Sequence, residues 1–96
     1  MILYNVSIIV EDSSHDQVVE WLKSRLLQNS YETNFLKMLE SPHEGSTYCI
    51  QFVAPDDTVI SKFQQDVLVD LQAYLATHHN GKAFLFDSKM QYLSLE

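Results

Sequence analysis

The stretch "FLKMLESPHEGSTYCIQFVA", residues 35–54, reads as two strands joined by a tight turn. Residues 46–54 alternate, with Tyr48, Ile50 and Phe52 on one side and Thr47, Cys49, Gln51 and Val53 on the other. Residues 35–41 form the preceding strand, and Pro42 to Gly45 supply turn chemistry between the two. A hairpin alone does not define a fold; what flanks it does. Upstream, Val18, Val19, Leu22 and Leu26 recur at helical spacing with Trp21 beside them, so a helix runs to about Gln28. "EDSSHDQ" opens that helix, with Ser14 and Gln17 at capping-box spacing and acids crowding the first turn. Downstream, Pro55 ends the hairpin and Asp56 with Asp57 begins a second helix. Ile60, Phe63, Val67, Leu71 and Tyr74 mark its apolar stripe, and Asn80-Gly81 closes it.

The first and last strands of the chain complete the set. Residues 2–10 alternate, with Ile2, Tyr4, Val6, Ile8 and Val10 facing one way. Residues 82–88, "KAFLFDS", form the fourth strand. In "KMQYLSLE", residues 89–96, the apolar side switches partway, which predicts a further strand or a continuation past a bulge. The order β-α-β-β-α-β with a central hairpin is the ferredoxin-like, split βαβ arrangement of the α+β class, here with a C-terminal strand extension. Right-handed crossovers put strands one and three at the centre of an antiparallel sheet, with both helices on one face. Residues 1–96 form a single domain on this reading.

Bulk properties exclude several function classes. A chain of 96 residues hides roughly 65% of its extended surface on folding, a thin margin that association would widen. Hydrophobic residues at 46% and charged ones at 20% suit a globular protein rather than a disordered one. The formal net charge of −7, with six scattered Lys and Arg, opposes a nucleic-acid partner, because counterion release needs clustered cations. No apolar run approaches the ~20 residues that span a bilayer, and the start lacks a basic signal region, so no membrane association is expected. Cys49 is the only cysteine, which favours a reducing, cytoplasmic setting.

"MILYNVSIIVEDS", "FLKMLES…GSTYCIQFVA" and "GKAFLFDSKMQYL" resemble a bacterial family of roughly hundred-residue domains of unknown function, along nearly the whole chain. That resemblance implies a cytosolic ferredoxin-like domain and carries no activity. The architecture is also similar to dimeric α+β barrels, in which two sheets pack face to face; that likeness concerns fold and not chemistry.

Candidate chemistry is sparse. If the two central strands agree in phase, the sheet face away from the helices carries Asn5, Ser7, Ile9, Cys49, Gln51 and Val53, polar at the middle and apolar around it. Asn5, Ser7, Cys49 and Gln51 are therefore the candidate ligand-binding or interface residues. Cys49 as a nucleophile would need a group that lowers its thiol pKa, and a buried, inert strand cysteine is the plainer expectation. His15 and His43 read as exposed polar residues. Asp66 and Asp70 share a helix face, but two carboxylates fall short of the six or more oxygens a hard cation wants, and they read as a solvated face. Two glycines cannot build a phosphate cradle, so no cofactor is expected. His78 and His79 are adjacent, about 100° apart on a helix, so they cannot both face one metal. They read as a last helical turn in which protonated rings meet free carbonyls and the dipole's negative end. Two functions are consistent with this. One is a dimerising binding or scaffolding domain that pairs through the open face or the C-terminal strand, with no catalysis. The other is a dimeric α+β-barrel-type enzyme or small-ligand carrier that uses the same face as its pocket.

Overall fold

A computed structural model describes residues 1–42 and 44–96; His43 and the reading made of it lie outside the described residues. Strand β1 is Ile2–Val10, followed by a 3-10 turn at Asp12–Ser14 and helix α1 at His15–Leu27. Strands β2 (Asn34–Lys37) and β3 (Ser46–Ala54) form the hairpin. Helices α2 (Asp57–Phe63) and α3 (Val69–His78) are joined by a π turn at Gln64–Leu68, and β4 is Ala83–Gln91. The sheet order is β2-β3-β1-β4, antiparallel throughout, so β1 and β3 are central as the topology requires.

The core fills one side of the sheet. Tyr4, Val6, Ile8 and Val10 of β1 and Ile50 and Phe52 of β3 join Val18 and Leu22 of α1 and Ile60, Phe63, Leu71 and Leu75 of the second helical segment in one buried cluster. All helices therefore cover the same face, the ferredoxin-like α+β arrangement. Phe63 anchors it: its ring lies 4.8 Å from Phe52 and 5.8 Å from Tyr4, and Tyr31 closes over both phenylalanines.

Several local expectations are corrected. Ser14 makes no capping bond through its side chain; the 3-10 turn before α1 uses its backbone N–H on the Glu11 carbonyl instead. Asp56 does cap α2, its carboxylate accepting from the N–H groups of Thr58 and Val59. The strand expected over 35–41 is shorter, Asn34–Lys37, with one further bond from Met38 N–H to the Thr47 carbonyl. The second helix carries a π turn, and its buried stripe leaves the simple period there. Val67 and Leu68 are both buried, and the stripe continues to Leu75 rather than Tyr74. The C-terminal extension is not a separate strand and has no bulge: β4 pairs with β1 without interruption from Ala83↔Val10 to Gln91↔Ile2.

The acidic helix face is also less free than expected. Arg25 of α1 holds the Asp70 carboxylate at 3.0 Å and the Asp66 carbonyl at 2.8 Å, and the Tyr31 hydroxyl donates to Asp66 at 2.9 Å. These contacts tie α1 and the chain after it to the second helical segment. Gly81 leaves the helix at φ 78°, the left-handed exit that Asn80-Gly81 predicts.

Candidate open-face site

Antiparallel partners point to the same side of a sheet, so the register fixes the open face. Across β1 and β3 it pairs Leu3 with Val53, Asn5 with Gln51, Ser7 with Cys49 and Ile9 with Thr47. Across β1 and β4 it adds Met90, Ser88, Phe86 and Phe84. The four candidate residues thus come together as two adjacent cross-strand pairs at the middle of the face.

They form one hydrogen-bonded strip. Gln51 Nε2 donates to Asn5 Oδ1 at 3.0 Å, Asn5 Nδ2 donates to Ser7 Oγ at 2.9 Å, and Ser7 Oγ lies 3.8 Å from Cys49 Sγ. Ser7 is buried although it faces away from the helices, because its neighbours close over a short side chain. Cys49 is half-buried rather than buried. Apolar side chains surround the strip and stay in solvent: Phe84 at 56% exposure, Phe86 at 52%, Met90 at 48%, and Val53 and Leu36 at 44% each. The aromatic residues of β4 are therefore not core, because β4 is an edge strand and the helices reach only its other side.

Among the described residues, neither nucleophilic catalysis nor metal binding has a complete constellation at this strip. Ser7 and Cys49 partner each other and Ser7 also accepts from Asn5; among the described residues no histidine bonds to either. His15 is on the opposite face. Its Nε2 meets the Tyr48 hydroxyl at 2.5 Å and its Nδ1 meets Asp16 at 2.8 Å, so it is half-buried rather than exposed, joining α1 to β3. Among the described residues no group of three or more His, Cys, Asp or Glu side chains could hold a metal ion. Nor is any helix among them long and apolar enough to cross a membrane.

At the Ile9–Phe84 end the open face runs into a cavity of about 630 Å³, rimmed by Glu11, Asp12, Glu44 and Lys82. This recess was not legible in the sequence, since it arises where the hairpin turn approaches the end of β1. Gly45 makes that approach possible: at φ 81° it packs its Cα against the Val10 carbonyl.

Of the histidine pair, His78 ends α3 as the last-turn residue expected, whereas His79 resolves differently. His79 is buried, its Nε2 3.0 Å from the Tyr74 hydroxyl, and Tyr74 stacks on Trp21 with ring centroids 3.9 Å apart. Burial lowers the His79 pKa below the usual imidazole value, helped by the positive charges of His78 and Lys82. Its ring is a neutral packing element rather than a charged cap. The Tyr74 partner, five residues earlier, carried no recognised spacing signal.

No curated protein matches this sequence. Among solved structures, the fold is similar to a de novo designed protein, Foldit4, at TM-score 0.64 and 5% identity, covering 96% of this chain and 98% of that one. It is also similar to a DABB-family protein with a ferredoxin-like fold from Mesorhizobium loti, at TM-score 0.61 and 8% identity, covering 98% of this chain and all of that one. Both likenesses concern fold alone. Residues 1–93 match the model of a domain of unknown function, DUF4286, and the chain belongs to that family.

Proposed function

We propose that this domain is a small, non-catalytic binding or scaffolding module of the bacterial cytoplasm that works as a homodimer, with its open sheet face buried against a second copy. The observation that carries this reading is the ring of half-exposed apolar side chains around an internally hydrogen-bonded polar strip. Three strands of nine residues make a face about 30 Å long and about 15 Å wide, so two copies in contact bury on the order of 1,000 Å². That lies at the small, weakly associating end of the range for specific interfaces. The strip adds little cost to burial, because Asn5 and Gln51 already bond to each other. With a formal charge of −7 on each copy, screening by salt favours the association.

Sedimentation velocity of wild type against Val53→Glu tests this reading. Val53 is exposed in the single chain, so the variant keeps the fold while placing a carboxylate in the apolar contact of both copies. Wild type is expected to self-associate and Val53→Glu to dissociate at the open-face contact at least about tenfold more readily. A wild-type protein that stays monomeric across the accessible concentration range refutes the reading.

The cavity rimmed by Glu11, Glu44 and Lys82 favours a second reading, a small-ligand carrier whose open face forms the floor of the site. Its volume lies inside the usual range for ligand pockets, roughly 300–1,000 Å³. Native mass spectrometry of protein purified from its host separates the two readings, since a carrier retains a bound mass on the dimer.

A further inference from the structure

The outer edge of β4 is nine residues long, and among the described residues it pairs with nothing beyond β1. Which of its backbone groups face outward follows from two bonds at the ends of the β1–β4 ladder. Glu11 N–H donates to the Lys82 carbonyl and Tyr92 N–H donates to the Met1 carbonyl. Even-numbered residues of β4 therefore turn their backbone toward β1. Leu85, Asp87, Lys89 and Gln91 turn theirs outward, because alternate residues in an antiparallel ladder bond to opposite sides.

We infer that this edge pairs, antiparallel, with the β4 edge of a second copy in the register that places Ser88 opposite its own symmetry mate. The sequence around Ser88 is self-complementary in that register. Asp87 faces Lys89 of the other copy twice over, Leu85 faces Gln91, and on the open side Phe86 faces Met90 and Phe84 faces Tyr92. The outward backbone groups of Leu85, Asp87, Lys89 and Gln91 then meet as bonded pairs. Shifting the centre to Asp87 or Lys89 sets like charges against each other on the two-fold axis. Charges on an edge strand commonly keep other chains away; here the two signs stand two residues apart on the same side, so they repel shifted registers and attract this one. Lys89 exchanges its own Asp57, 2.6 Å away, for the Asp87 of the second copy, which also accepts from Tyr4. The opposite edge offers no equivalent, because β2 has only four residues.

This contact goes beyond the open-face reading and does not depend on it, since it uses the strand edge and leaves the face free. A chain that makes both contacts assembles as a dimer of dimers, with two sheets of eight strands facing one another.

Cysteine cross-linking tests it in a Cys49→Ser background. A non-bonded antiparallel pair places its Cα atoms about 4.5 Å apart, within disulfide reach. Sheets stacked face to face stand about 10 Å apart, beyond that reach. Ser88→Cys is expected to give a covalent dimer on mild oxidation. Phe84→Cys, whose symmetry mate lies about 26 Å away along the strands, is not. Lys89→Glu sets two carboxylate pairs against each other and is expected to slow Ser88→Cys cross-linking about tenfold, while Lys89→Arg preserves it. The cross-link is also expected to survive Val53→Glu. A self-associating wild type whose Ser88→Cys variant cross-links no faster than Phe84→Cys overturns this inference and leaves the open-face reading standing. Retained cross-linking in a Val53→Glu protein that otherwise sediments as wild type does overturns the open-face reading alone.

Discussion

Gly45 and Gly81 make a matched pair of positions. Both hold a left-handed backbone, at φ 81° and 78°, so an alanine at either carries the same conformational strain, roughly 1–2 kcal/mol. Their surroundings differ completely. A Cβ at Gly45 would lie 2.2 Å from the Val10 carbonyl oxygen, a backbone atom fixed in the central strand, whereas at Gly81 nothing comes within 4 Å. Relieving that overlap requires the turn to lift off the end of β1, a displacement of the kind that costs a further ~1–3 kcal/mol. Gly45→Ala is thus expected to lose roughly 2–5 kcal/mol and Gly81→Ala only the strain. Urea unfolding followed by circular dichroism measures both. In thermal melts the pair should be separated by at least about 4 °C. Equal losses at the two positions would show that the hairpin turn yields freely and that its seating on β1 is not a constraint, contrary to the account of the recess given above.

Tyr4→Phe removes a fully buried hydroxyl that donates to Asp87 at 2.6 Å and is approached by the Gln64 amide. Asp87 is exposed, so the loss should fall near the lower end for bonds to charged groups, about 1.5 kcal/mol, read as a lower urea midpoint at unchanged slope. The acid limb of stability should report His79. Its folded pKa is depressed below 6.5, so the unfolded chain takes up the proton first and stability falls as pH drops below about 6.5. His79→Gln is expected to flatten that limb in denaturant titrations at successive pH values. At the alkaline end, burial raises the Tyr4 and Tyr74 pKa values. The unfolded chain then releases those protons first, so stability declines as pH rises past about 10.

What could be read from the sequence was whatever repeats locally. The period of two in residues 2–10 and 46–54 gave the faces of both central strands, and with them the positions of Asn5, Ser7, Cys49 and Gln51. The Arg25 clamp on Asp70 spans 45 residues and leaves no local pattern, so the acids it holds looked free. The π turn escaped notice for another reason: one extra residue per turn shifts the apolar stripe without changing its composition, and Val67 with Leu68 simply reads as a richer stripe. In β4 the difficulty was physical. Phe84 and Phe86 look like core residues by type, and only the sheet order reveals that their side of an edge strand has no cover.

That lack of cover bears on how the polar strip should be understood. Polar groups in the middle of an apolar face usually demand partners, and burying them unpaired is costly. Here Asn5 accepts from Gln51 and donates to Ser7, so the strip satisfies much of its own bonding before anything covers it. A partner surface need only be apolar and complementary in shape around it. The strip can still discriminate: a copy docked out of register would press Phe86 or Val53 onto the amides and strand their remaining donor sites. The candidate residues thus contribute less to the strength of association than to its uniqueness. Asn5→Leu with Gln51→Leu is then expected to keep self-association while broadening it into several species on sedimentation, and complete dissociation by that pair of changes would refute the reasoning.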